Sequence, residues 1–150
     1  MGGGALCPAR RRQGGQVMGR PAIPVDESAA GDMDALRASV DAYVEGLRRS
    51  DVALLSEVFL PQARLSAVAA GSVLDIPLPA WLDRVRARPD FAARGIDCPH
   101  EIHQIDLGSP ATGFARLTTT VPPARFLDYL SFLRIDGRWR IIAKVYHRFD

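Results

Sequence analysis

The sequence is poor in the features that usually announce a function. Lysine is almost absent: of nineteen basic residues only Lys144 is not an arginine, a bias that reads as base composition of the gene. The two cysteines, Cys7 and Cys98, lack any CxxC partner. That excludes a thiolate metal site and a disulfide framework, and makes a reducing cytoplasm the expected location. No apolar run approaches a membrane span, and no apolar segment follows the Arg10 to Arg12 run as a secretory signal requires. Gly-x-Ser-x-Gly, phosphate loops and dinucleotide fingerprints are missing too, so neither a nucleophilic serine nor a cofactor is implied. Charge of one sign is also lacking. The net +2 comes from the first twenty residues, whose four arginines, once removed, leave 15 basic against 17 acidic residues. Nucleic acid, which needs a clustered basic face, is excluded as the main partner, and no membrane partner is implied.

What is present suits one domain with a single core, given 150 residues. Residues 1–30, rich in Gly, Pro and Arg and without an apolar period, are expected to be a disordered basic tail ahead of a domain at 31–150. Met18 and Met33 are alternative starts within or just after that tail. From Asp34 to Arg49, Leu36, Val40, Tyr43, Val44 and Leu47 form one helical stripe. Ser50-Asp51 caps a second helix through Phe59, which Pro61 ends. Ala63 to Ala69 and Val73 to Ile76 read as short strands about Gly71-Ser72. Pro79 opens a third helix that buries Trp81, Leu82 and Val85. After a loop over residues 89–100, Glu101 to Leu107 and Phe114 to Val121 alternate as strands, and Pro122-Pro123 precedes a final hairpin. Helices gathered before a meander give an α+β class, with the helices covering one face of a curved sheet.

The hairpin, Phe126 to Phe149, carries the chemical lead. Asp136-Gly137 suits a two-residue type I′ turn, whose central residues both need positive φ. Counting from it, Ile135 pairs with Arg138, Phe132 with Ile141, Leu130 with Ala143 and Asp128 with Val145. Strict alternation then sets Asp128, Leu130 and Phe132 on one face with Trp139, Ile141, Val145 and His147. Asp128 lies diagonal to His147, a carboxylate and an imidazole that could act as a base with its orienting partner, or as a polar anchor. The opposite face takes Tyr129, Arg140, Lys144 and Tyr146, a composition suited to a dimer interface, where Lys144 is no candidate for Schiff-base chemistry. His100, Glu101 and His103 lack a third ligand at useful spacing, so no metal is expected.

The segments AYVEGLRRSDVALLSEVFLPQARL and DYLSFLRIDGRWRIIAKVYH, in this order of elements, resemble the nuclear transport factor 2-like (NTF2-like) superfamily over about residues 34–149. The resemblance is to its bacterial lumazine-binding and polyketide cyclase-like branch. It implies a cone-shaped half-barrel, with three helices packed on a strongly curved, mainly antiparallel sheet. An apolar pocket lies between helices and sheet, and the convex sheet face forms a homodimer. One departure stands out: Leu60-Pro61-Gln62-Ala63 occupies the place where related sequences often have His-Pro-Asp-Ala. The expected function is binding of a small apolar or aromatic molecule, with Tyr43, Trp81, Phe132 and Ile141 as ligand contacts and Asp128 with His147 fixing its orientation. The alternative is a cofactor-free acid–base enzyme (isomerase, cyclase or dehydratase) on a carbonyl substrate. There Asp128 or His147 would move the proton, and Tyr43 would donate to a developing oxyanion.

Overall fold

A computed structural model describes residues 27–150. Its elements run α1 (Glu27–Arg49), α2 (Val52–Val58), β1 (Phe59–Ala69), β2 (Ser72–Pro77), α3 (Leu78–Arg86), β3 (His100–Ser109), β4 (Thr112–Val121), β5 (Ala124–Ile135) and β6 (Arg138–Phe149). Most of the expected disordered tail, residues 1–26, lies outside the described residues. Residues 27–30, assigned to that tail, instead extend α1, because Ala29 and Ala30 favour helix and no proline interrupts the ladder.

The strands form one sheet in the order β2-β1-β6-β5-β4-β3. Every junction is antiparallel except β1–β6, which is parallel. The three helices cover its concave face. Leu36, Val40, Tyr43, Val44 and Leu47 of α1 are all buried, as their spacing predicts, and each such side chain contributes about 1.5–3 kcal/mol. Asp51 caps α2 by accepting a hydrogen bond from the Leu54 amide at 2.9 Å. The second helix ends one residue before Phe59, and Pro61 falls inside β1. Phe59 pairs with Ile141 and is fully buried there, so sheet packing takes the chain out of the helix early. The carbonyl groups left free at that helix end are collected by Arg140, whose guanidinium donates to Ser56 and Glu57 at 3.0 Å and to Phe59 at 2.6 Å. Arg140 therefore works as a clamp on α2 and not as part of an open sheet face.

The β5–β6 turn forms as the Asp-Gly pair predicts, with φ of 51° at Asp136 and 73° at Gly137. Pairing follows the expected register through Phe132 and Ile141, then slips by one residue. Ser131 faces Ala143, Leu130 faces Lys144, and Asp128 faces Tyr146. Ile142 is the extra residue, a β-bulge in β6. Since strand side chains alternate with a period of two, one added residue reverses every side chain beyond it. Lys144 and Tyr146 consequently turn into the cone. Val145 is 54% exposed and His147 lies on the surface. Both expected placements are thus corrected: His147 does not share a face with Asp128, and Lys144 does.

Candidate functional site

Asp128 sits in the middle of β5 on the concave face, with no exposure to solvent. A bare carboxylate there would be costly, so its partners define the site. Oδ2 accepts hydrogen bonds from the Tyr43 hydroxyl of α1 and the Thr119 hydroxyl of β4, both at 2.9 Å. Oδ1 faces the Lys144 ammonium at 3.1 Å, an ion pair without an aligned hydrogen bond. The ammonium donates in turn to the Tyr43 oxygen at 2.7 Å, which closes a ring of three ionisable groups joined by three contacts. Lys144 is also walled by aromatic rings, with centroids 5.0 Å (Tyr146), 5.3 Å (Tyr43), 5.5 Å (Trp81) and 5.9 Å (Phe126) from Nζ. Their negative faces offset part of the ammonium's lost hydration.

The electrostatics follow from burial. Burial pushes the Lys144 amine below the ordinary lysine range, while Asp128 pulls it back up. Burial, reinforced by Asp128, holds the Tyr43 phenol well above the usual tyrosine range. Tyr43 therefore keeps its proton more firmly than a surface tyrosine, and Lys144 surrenders its own more readily than a surface lysine would.

Beside the ring lies a cavity of about 50 Å³, lined by Leu47, Trp81, Arg84, Arg88, Thr119, Val121, Phe126, Lys144 and Tyr146. Its inner wall is formed by the buried Trp81, Thr119 and Lys144, and its rim by the half-buried Arg88, Phe126 and Tyr146 and the exposed Arg84. A larger, open groove of about 320 Å³ runs outside, between α1, α2 and the β5–β6 turn. Its two charged residues, Glu57 and Arg138, lie 3.9 Å apart as an ion pair, which leaves it little polar capacity for a ligand. The inner cavity is the one that borders the buried ring, through Lys144 and Thr119.

The expected site residues are distributed unevenly. Tyr43 and Trp81 meet at Lys144, whereas Phe132 and Ile141 are sealed in the hydrophobic core and do not line the cavity. His147 stacks edge-on against Phe149 at 4.9 Å on the outer surface, remote from Asp128's face. His103 shares a 2.7 Å hydrogen bond with Thr118 and lies 3.7 Å from Glu101. Among the described residues no three potential ligands gather as a metal site. Sequence reasoning missed Thr119, Arg84, Arg88 and above all Lys144. One signal for the last was available: a buried carboxylate needs a cation, and the chain has a single lysine a few residues from the expected partner.

Residues 31–147 match the model of the family described as "Putative lumazine-binding". Among solved structures, an NTF2-like protein of unknown function from Silicibacter pomeroyi superposes with a TM-score of 0.73 at 24% identity, covering 81% of this chain and 98% of the other. A second NTF2-like protein, from Shewanella baltica, gives 0.73 at 21% identity over 83% and 99% of the two chains. A ketosteroid isomerase-like protein from Erwinia carotovora gives 0.62 at 14% identity over 79% and 97%. At these identities the likeness establishes a shared α+β cone. No curated protein matches the sequence.

Proposed function

Because the chain belongs to the family described as lumazine-binding and shares the NTF2-like cone, we propose that it binds a small molecule in the inner cavity, with Lys144 as the polar anchor. The observation that carries this reading is the third ammonium proton. Lys144 has three donors, and the described residues supply two partners, Tyr43 through a hydrogen bond and Asp128 through the ion pair. The third N–H belongs to a group that lines the cavity, so a ligand acceptor completes its shell. Trp81, Phe126 and Tyr146 supply the apolar contact. Asp128 and Thr119 hold the ring in place behind the anchor.

Tyr43 and Lys144 also support a second reading, a cofactor-free acid–base enzyme on a carbonyl compound. Lys144, which lines the cavity and whose proton burial loosens, can donate to a developing oxyanion, while Tyr43, whose one proton goes to Asp128, holds the ammonium in place at 2.7 Å. The base in such an enzyme is Asp128 or Lys144; His147, on the other face, is not placed for it.

The two tryptophans make the test direct. Trp81 lines the inner cavity and Trp139 the outer groove, so their indole N–H signals report the two places separately during a titration with small carbonyl and heteroaromatic fragments. Binding is expected to move Trp81 saturably, leave Trp139 alone, and disappear in Lys144→Met. Fragments that move only Trp139 would shift the site to the groove. Turnover that is lost in Asp128→Asn while the fold persists would favour the enzyme.

A further inference from the structure

The cavity's charge is unbalanced. Three cationic side chains, Lys144, Arg88 and Arg84, line it, and no carboxylate does. Asp128 compensates Lys144 from behind. Among the described residues, neither Arg84 nor Arg88 forms an ion pair or donates a side-chain hydrogen bond, although the chain's other α3 arginine, Arg86, pairs with Asp83 at 2.5 Å. Arg88 is half-buried, a placement in which an unpaired guanidinium is expensive. The cations also oppose one another: the charge on Arg88 works against the proton on Lys144, and that on Arg84 against the proton on Arg88. Such a cluster is relieved by an anion.

Size narrows the class. A water needs roughly 10–15 Å³ on the same measure, so a cavity of about 50 Å³ admits the head of a ligand and a few atoms more. Phe126 and Tyr146 at the rim offer ring faces to whatever follows that head.

We infer that the site takes a small amphiphilic oxyanion, a carboxylate or a phosphomonoester on a planar apolar body, whose charged head sits among Lys144, Arg88 and Arg84. The guanidinium forks match the paired oxygens of either head. The inference rests on the binding reading above and adds the charge of the ligand to it.

The test compares benzoate with its neutral isostere benzamide, and with phenyl phosphate as the second anion, each followed at the Trp81 indole and by thermal shift, in 50 mM and 500 mM salt. At least one of the two anions is expected to bind about tenfold or more tightly than benzamide, as the loss of a charge-assisted pair implies. Its affinity should fall with salt and drop by about tenfold in Arg88→Gln. Arg84→Gln, at an exposed position, repeats the test without burdening the fold. Benzoate against phenyl phosphate decides between the two heads. Benzamide binding as well as both anions, with no change in either arginine variant, would overturn the oxyanion and leave the pocket standing. Silence at Trp81 from all three probes would overturn the pocket with it.

Discussion

At the scale of single residues, the ring of Asp128, Lys144 and Tyr43 sets the terms. Removing one member of a buried ion pair strands its partner's charge, at a cost of about 3–5 kcal/mol. Lys144→Met and Asp128→Asn should therefore each lower the urea midpoint strongly. The double variant, with no stranded charge, should lose much less than the sum. Additive losses in that cycle would mean the two groups do not see each other. The pH response has two opposed parts. The folded Lys144 holds its proton less tightly than the unfolded chain does, so stability rises with pH between its lowered folded pKa and the unfolded value of about 10.4. Tyr43 holds its proton more tightly when folded, and its contribution, full below about pH 10, is lost as pH climbs beyond. With one lysine in the chain, isotope labelling gives a single side-chain ammonium signal. Its midpoint should lie below that of a free lysine and fall further in Asp128→Asn. Tyr43→Phe should reduce the loss above pH 10 and leave the part owed to Tyr146, whose phenol burial also holds above the usual range.

At the scale of elements, α1 meets α2 at Gly46, where a Cβ would come within 2.7 Å of Leu55 Cγ and 2.6 Å of its Cδ2. Leu55 is fully buried and has nowhere to retreat. Gly46→Ala therefore costs about 1–3 kcal/mol by overpacking, against a gain of about 1 kcal/mol in helix propensity. Chemical denaturation should show net destabilisation, and adding Leu55→Ala should partly restore tolerance of the extra methyl group; a stabilised Gly46→Ala would refute the contact. Elements of this kind were legible in the sequence. The α1 stripe, Pro79 at the start of α3 and the Asp136-Gly137 turn each act through local geometry, and local geometry is written in adjacent residues. The bulge at Ile142 was not. Ile141-Ile142-Ala143 is apolar at three successive positions, so the alternation carries no parity there. Val145 inside and Lys144 outside was the better hydrophobic pattern. It loses because Asp128, buried beside Leu130 and Tyr43, requires a cation, and that demand crosses three elements. Arg84 and Arg88 were illegible for a related reason: only the packing of α3 against β1 and β2 brings Arg84, and Arg88 just beyond the helix end, to the cavity at Lys144.

On the scale of the whole molecule, the same bulge that turns Lys144 inward turns Val145 out. Val145 lies opposite Tyr129 on the convex face, 54% and 37% exposed, and Tyr129 packs on Phe114 with ring centroids 6.0 Å apart. We propose that this face joins two copies of the chain. Val145→Arg should shift sedimentation from dimer to monomer at tens of micromolar without altering the helical signal, and a wild-type chain that sediments as a monomer there would remove the proposal. Across the whole chain Lys144 is the one lysine, and it lies inside, 5% exposed. An acylating reagent too bulky for the cavity of about 50 Å³ can reach that amine only when the hairpin parts from α1 and α3. The rate at which position 144 is acylated thus becomes a clock for the breathing of the cone, counting the moments it stands open, and a ligand lodged at its mouth would slow the clock.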